Sequence, residues 1–172
     1  HGGPNGVYSL VTSRQMKKYN LKKNDYANLL ISQRNWASKN PYAVYKKELT
    51  QEEYNNAPLV ADPLCRYDCV PVVAGAYAII ISRNSNEGLE RQVRIRSFEQ
   101  SFNYENQEGD GTTTGISTFK DKLFKKAKLV PEDIGVLSIY DDYPAIVLAQ
   151  LNDLGIIKDE KFREYLEHME RQ

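Results

Sequence analysis

The longest apolar run of the chain, Val70 to Ile81, is broken only by Pro71 and Gly75. It is too short to span a bilayer, which takes roughly 18 or more consecutive apolar residues. Its Val- and Ile-rich part, Val72 to Ile81, reads instead as a central strand buried on both faces. Such a strand needs ladder partners at both edges and helices above and below it. Stretches of helical periodicity on either side supply candidates for those helices, so the expected class is α/β.

The first helix is expected from the recurrence of Val7, Leu10, Val11 and Met16, with Arg14, Lys17 and Lys18 on its outer face. A second, capped by Asn24 or Asp25, should bury Leu29, Leu30, Ile31 and Trp36 and end at Asn40-Pro41. Thr50-Gln-Glu-Glu53 is a capping-box pattern that opens a short helix, and Leu59-Val-Ala61 can be extended. Asn84 to Gly88 is a turn or linker and the clearest internal boundary. Beyond it, Val93 to Tyr104 alternates as a strand, and Glu108 to Gly115 reads as a flexible loop. Ile116 to Lys128 is a basic amphipathic helix with Phe119, Leu123, Phe124 and Ala127 inward. Pro131-Glu-Asp133 makes one helical turn and Val136 to Ile139 a short buried strand. Pro144 starts a helix that Gly155 stops. Lys158 to Arg171 reads as a polar final helix.

Composition narrows the function classes. Lys and Arg together equal Asp and Glu, giving a formal net charge of zero in 172 residues. No general attraction to nucleic acid follows. The run Arg91-Gln-Val-Arg94-Ile-Arg96 reads as a strand with a solvated face, or as a phosphate reader. Cys65 and Cys69 are too few for a disulfide framework. The two histidines, His1 and His168, sit at the ends, so no metal site is expected. A cytoplasmic, reduced protein is the default. The chain carries no initiator Met and opens on a loop-like His1-Gly-Gly-Pro-Asn-Gly6, so it is expected to be joined partway.

Three constellations could carry chemistry. Gly109-Asp-Gly-Thr-Thr-Thr-Gly115 lacks the Lys of a phosphate-binding loop, and its third glycine falls one residue late for a dinucleotide fingerprint. Cys65 and Cys69 have no internal His to activate them, which favours packing over nucleophilic work. Ile139-Tyr-Asp-Asp-Tyr-Pro144 bunches two acids and two tyrosines where a short strand gives way to a helix. Ligands bind at such strand ends in α/β sheets, and acids there also serve as plain helix caps.

Val60-Ala-Asp-Pro-Leu, followed by Asp68-Cys-Val-Pro71, resembles the segment of sterol-carrier-type thiolases that leads into a core strand. Ile134 to Tyr143, continuing to Gln150-Leu-Asn-Asp-Leu-Gly155, is similar to the strand–helix unit holding that family's N-E-A-F or H-D-x-F motif. Pro4-Asn-Gly6, Ser13-Arg-Gln-Met16, Ser32-Gln-Arg34 and Asn40-Pro-Tyr-Ala43 fit its loop domain. The resemblance implies a partial thiolase fold: residues 1–69 from the loop domain, 70–83 the last strand of the first half, and 92–172 the start of the second half. It implies carbon–carbon bond formation or cleavage on acyl-CoA thioesters, of Claisen or retro-aldol type, in a homodimer. For the retro-aldol relatives it also implies a zinc-binding, OB-fold accessory protein. Coenzyme A would enter as part of the substrate, with no separate cofactor.

The family's nucleophilic Cys, its G-H-P histidine and its C-x-G cysteine are absent, so an internal fragment without catalytic competence is expected. The alternative is a non-catalytic carrier or interaction subunit. Tyr140 stands where Claisen thiolases place Asn or His, which points to the retro-aldol branch and makes Tyr140 the candidate catalytic residue. Asp141, Asp142 and Tyr143, with Val70 and Pro71 along the acyl-CoA channel, are the candidate substrate-binding residues.

Overall fold

Thr50 shows how local rules set the elements. Its hydroxyl accepts from the Glu53 amide at 3.1 Å and the Glu53 carboxylate accepts from the Thr50 amide at 3.1 Å, the reciprocal cap foreseen for helix α3 (Gln51–Asn55). In a computed structural model that describes residues 3–83, 93–158 and 161–169, α3 follows α1 (Gly3–Tyr19) and α2 (Lys23–Lys39). Strands β1 (Leu59–Ala61) and β2 (Leu64–Cys65) pair antiparallel, Leu59 opposite Cys65 and Ala61 opposite Leu64. Helices α4 (Ile116–Ala127), α5 (Pro144–Asp153) and α6 (Phe162–Met169) complete the elements that place the site. The described residues form a helix-rich mixed structure with one small sheet. None of these helices is long and apolar enough to cross a membrane.

Two cores hold the helices. In one, Leu21, Tyr26 and Leu29 meet Val147, Leu148 and Leu151 of α5 and Phe162 and Leu166 of α6. In the other, Ala27 and Leu30 on the adjoining face of α2 meet Leu49, Tyr54 and Cys65. Helix α5 begins at Pro144, whose missing N–H costs nothing at a helix start, and gives way at Gly155, which adopts a φ of +78°. Both ends match expectation, as does the turn Pro131–Asp133.

Several expectations are corrected. The segment Val72 to Ile81 forms no strand and has no ladder partner among the described residues. It is open on both faces, with Val72 99% and Ile80 96% exposed. A run of this composition is buried only when neighbouring strands and helices cover it, and none of the described elements does so. The segments 93–102 and 136–140 likewise have no ladder partner among the described residues. Val136 is 92% exposed, against the buried strand expected there.

Trp36 is exposed because the core contacts of α2 come from its first half, Tyr26 to Leu30. Helix α2 is capped from within: the Asp25 carboxylate accepts from the Lys22 amide at 2.7 Å. Helix α1 buries Ser9, Thr12 and Gln15 while Val7 and Leu10 face outward.

The loop before α4 is docked, not free. Arg14 donates to the Asp110 carbonyl, Lys18 to the Thr112 hydroxyl at 2.9 Å, and the Thr114 hydroxyl to Asp153 at 2.8 Å. The linker at Asn84 to Gly88 and the Arg91–Gln92 part of the basic run lie outside the described residues, as do the last residues of the final helix.

Candidate functional site

Helix α5 fixes the segment that precedes it. The Gln150 amide donates to the Tyr140 carbonyl at 2.7 Å, so the backbone of Tyr140 is tied to a side chain nearly two turns into the helix. Three residues on, Tyr143 is the N-cap of α5 and is only 3% exposed. The Tyr143 hydroxyl donates to Asn5 Oδ1 of α1 at 2.6 Å. The ring of Tyr8, one turn along α1, lies almost flat on it, centroids 4.2 Å apart and planes at 22°. The Tyr8 hydroxyl lies within electrostatic reach of the Asp142 carboxylate.

The structure therefore gathers Tyr140, Asp141, Asp142 and Tyr143 with Asn5 and Tyr8 in one cluster. Cys69 lies within electrostatic reach of Tyr143, which brings the start of the apolar segment, with exposed Val70 and Pro71, to the same neighbourhood.

Electrostatics divide the phenols. Burial, then the Asp142 charge, pushes the Tyr8 hydroxyl up; Tyr143 is raised for the same two reasons in the same order. Both stay protonated at neutral pH and act as donors. The Tyr143 donation is already used on Asn5, and the Tyr8 ring is stacked on Tyr143. Tyr140 differs from them, its side chain standing 69% exposed. Asp141 is open to solvent on one side. Desolvation by its surroundings raises its carboxyl, opposed by a hydrogen bond with the Gln33 side chain. The cluster thus presents one accessible phenol above a fixed bed of two phenols and a carboxylate.

The cysteines are unsuited to nucleophilic work. Cys65 is buried and Cys69 half-buried, and burial, then the nearby Asp68, raises both thiols. Asp68 itself serves structure, accepting from the Tyr54 hydroxyl at 2.9 Å and the Cys65 amide at 2.7 Å.

Comparison with known proteins points one way. No family model matches the chain. A benzoylsuccinyl-CoA thiolase subunit of Thauera aromatica is 27% identical over 156 residues, covering 88% of this chain and 40% of its own. A 17-hydroxy-3-oxo-4-pregnene-20-carboxyl-CoA lyase of Mycobacterium tuberculosis is 24% identical over 174 residues, covering 95% of this chain and 45% of its own. Acetyl-CoA acetyltransferases and sterol carrier protein 2 also match. Among solved structures, an Ltp2–ChsH2(DUF35) aldolase superposes with a TM-score of 0.69 at 17% identity, over 94% of this chain and 45% of that one. The chain is similar to thiolases and thiolase-like proteins along most of its own length.

It spans less than half the length of the thiolase-like relatives just described. At 17% identity the aldolase informs the fold alone. The sequence singled out the thiolase-like motif at Tyr140 to Tyr143 but missed Asn5, Tyr8, Gln33 and Gln150. Three of these reach the motif from α1 and α2, more than a hundred residues away in sequence. The one available signal was the three-residue spacing of Asn5 and Tyr8, which sets both on one face of α1.

Proposed function

We propose that this chain is part of a thiolase-like enzyme that makes or breaks a carbon–carbon bond in an acyl-CoA thioester. Tyr140 donates its hydroxyl to the oxygen on which charge develops. The observation that carries this reading is the division of labour among the phenols: Tyr143 is committed to Asn5 and stacked under Tyr8, while Tyr140 is exposed. When a carbon–carbon bond β to a thioester breaks, electrons flow onto the thioester oxygen, and a positioned donor stabilises that oxyanion. Relatives whose names describe a thiolase and a carboxyl-CoA lyase support both directions of this chemistry. The Tyr at position 140 favours the retro-aldol one.

In this reading residues 1–69 form a loop domain, 70–83 the last strand of the first thiolase half, and 92–172 the opening of the second half. The exposed apolar faces of 72–81 and 136–139 support the assignment, since a complete sheet would cover them. The chain is then incomplete for catalysis. It works in the cytoplasm with the remaining thiolase segments, in a homodimer, and with a zinc-binding OB-fold accessory protein.

The test is the full-length gene product, assayed with acetoacetyl-CoA for thiolysis and with a β-hydroxyacyl-CoA for retro-aldol cleavage. Release of a carbonyl product from the second substrate, with none from the isolated 172-residue chain, supports the reading. Tight acyl-CoA binding without turnover of either probe would favour a non-catalytic carrier subunit.

A further inference from the structure

Helix α1 turns a polar stripe inward. Asn5, Tyr8, Thr12 and Gln15 recur at intervals of three, four and three residues, the period that keeps side chains on one helix face. Thr12 and Gln15 are buried, and Gln15 spans two neighbours, donating to the Ala145 carbonyl and accepting from the Tyr26 hydroxyl, both at 2.9 Å. A satisfied polar contact gains little stability over an apolar one of the same shape. Stability alone therefore gives no reason to keep Val7 and Leu10 outside and this stripe inside. What the stripe supplies is direction: each bond has a fixed length and angle, whereas apolar packing tolerates sliding.

The outer half of the stripe meets the candidate site. We propose that Asn5 and Tyr8 are positioning residues of the reaction, which clamp Tyr143 by a hydroxyl bond and a ring stack and so orient the neighbouring Tyr140. Helix α1 thereby couples the loop domain to the segment that holds the reactive phenol. The inference rests on the catalytic reading of Tyr140, and its test separates the two.

Asn5→Leu keeps the size of the side chain and removes the acceptor of the Tyr143 hydroxyl, while the Tyr8 stack on Tyr143 stays in place. In the full-length protein labelled with 13Cζ-tyrosine, the Tyr140 resonance, assigned by its loss in Tyr140→Phe, is followed in wild type and in Asn5→Leu. We expect that resonance to move although the two residues lie on different elements. We also expect kcat on the accepted CoA thioester to fall about tenfold with KM within about twofold. In the double variant with Tyr140→Phe, Asn5→Leu should cost nothing further, as for groups acting through one another. An unmoved Tyr140 resonance overturns the positioning role whatever the kinetics. A moved resonance with rates unaffected by Tyr140→Phe upholds the clamp and rejects the catalytic reading of Tyr140.

Discussion

Gln15 joins three helices through two hydrogen bonds and has no exposed surface. Gln15→Leu fills the same space but leaves the Ala145 carbonyl and the Tyr26 hydroxyl without partners. We expect a loss of about 1–3 kcal/mol, read as a lower denaturant midpoint with unchanged m. Asp153 is a second such residue. Thr114 donates to it from both amide and hydroxyl, yet burial, the largest influence, raises its carboxyl above the ordinary 3.8. The folded state therefore binds the proton more tightly than the unfolded one. Stability from this group is full below the ordinary carboxylate range and declines as pH rises through the raised folded value. Asp153→Asn keeps one acceptor and should flatten that decline, while Asp153→Leu strands both Thr114 donors and should cost about 1–3 kcal/mol at any pH. Thermal melts of the three proteins from pH 3 to pH 8, about the carboxylate range and beyond, check both.

Among the elements, those governed by adjacent residues were legible in the sequence. The Thr50 cap, the Pro144 start and the Gly155 stop follow from rules that operate within four residues. Helix α1 was legible as a helix but its buried face was not. Val7, Leu10 and Val11 share a face as convincingly as Ser9, Thr12 and Gln15 do, and only the partners across the interface decide between them. The same holds for the loop that docks on α1. Its glycines suggested freedom, but Gly111 is held against α1 at a φ of +75°, where an added Cβ would lie 2.8 Å from Val11 Cγ2. Gly111→Ala therefore combines left-handed strain with a clash, and should destabilise the chain by about 1–3 kcal/mol. Adding Val11→Ala should recover the part due to the clash, which a double-mutant cycle measures.

For the molecule as a whole, apolar sequence and burial part company. The thiolase-like order of motifs was readable, and so was the Tyr140 to Tyr143 cluster. The clamp from Asn5 and Tyr8 was not, because it depends on packing between distant segments. Val72 to Ile81 carries the strongest strand signal in the chain, yet its side chains stand in solvent because strand burial is a property of the whole sheet. Exposed segments of this kind, apolar and unpaired, recruit other strands. We expect the 172-residue chain alone to self-associate as its concentration rises in sedimentation velocity. Ile79→Lys with Ile80→Lys should shift it toward monomer; a wild-type chain that stays monomeric would show these faces to be tolerated.

The reading of the whole molecule converges on one hydroxyl, that of Tyr140. Its removal in the full-length enzyme by Tyr140→Phe, with turnover of the retro-aldol and Claisen probes measured beside the melting temperature, is the most direct check. We expect a loss of roughly 100-fold in kcat, the scale of one oxyanion donor, with the melting temperature unchanged. Unchanged rates on every accepted substrate would contradict the assignment and leave Tyr140 as an exposed tyrosine ahead of a helix.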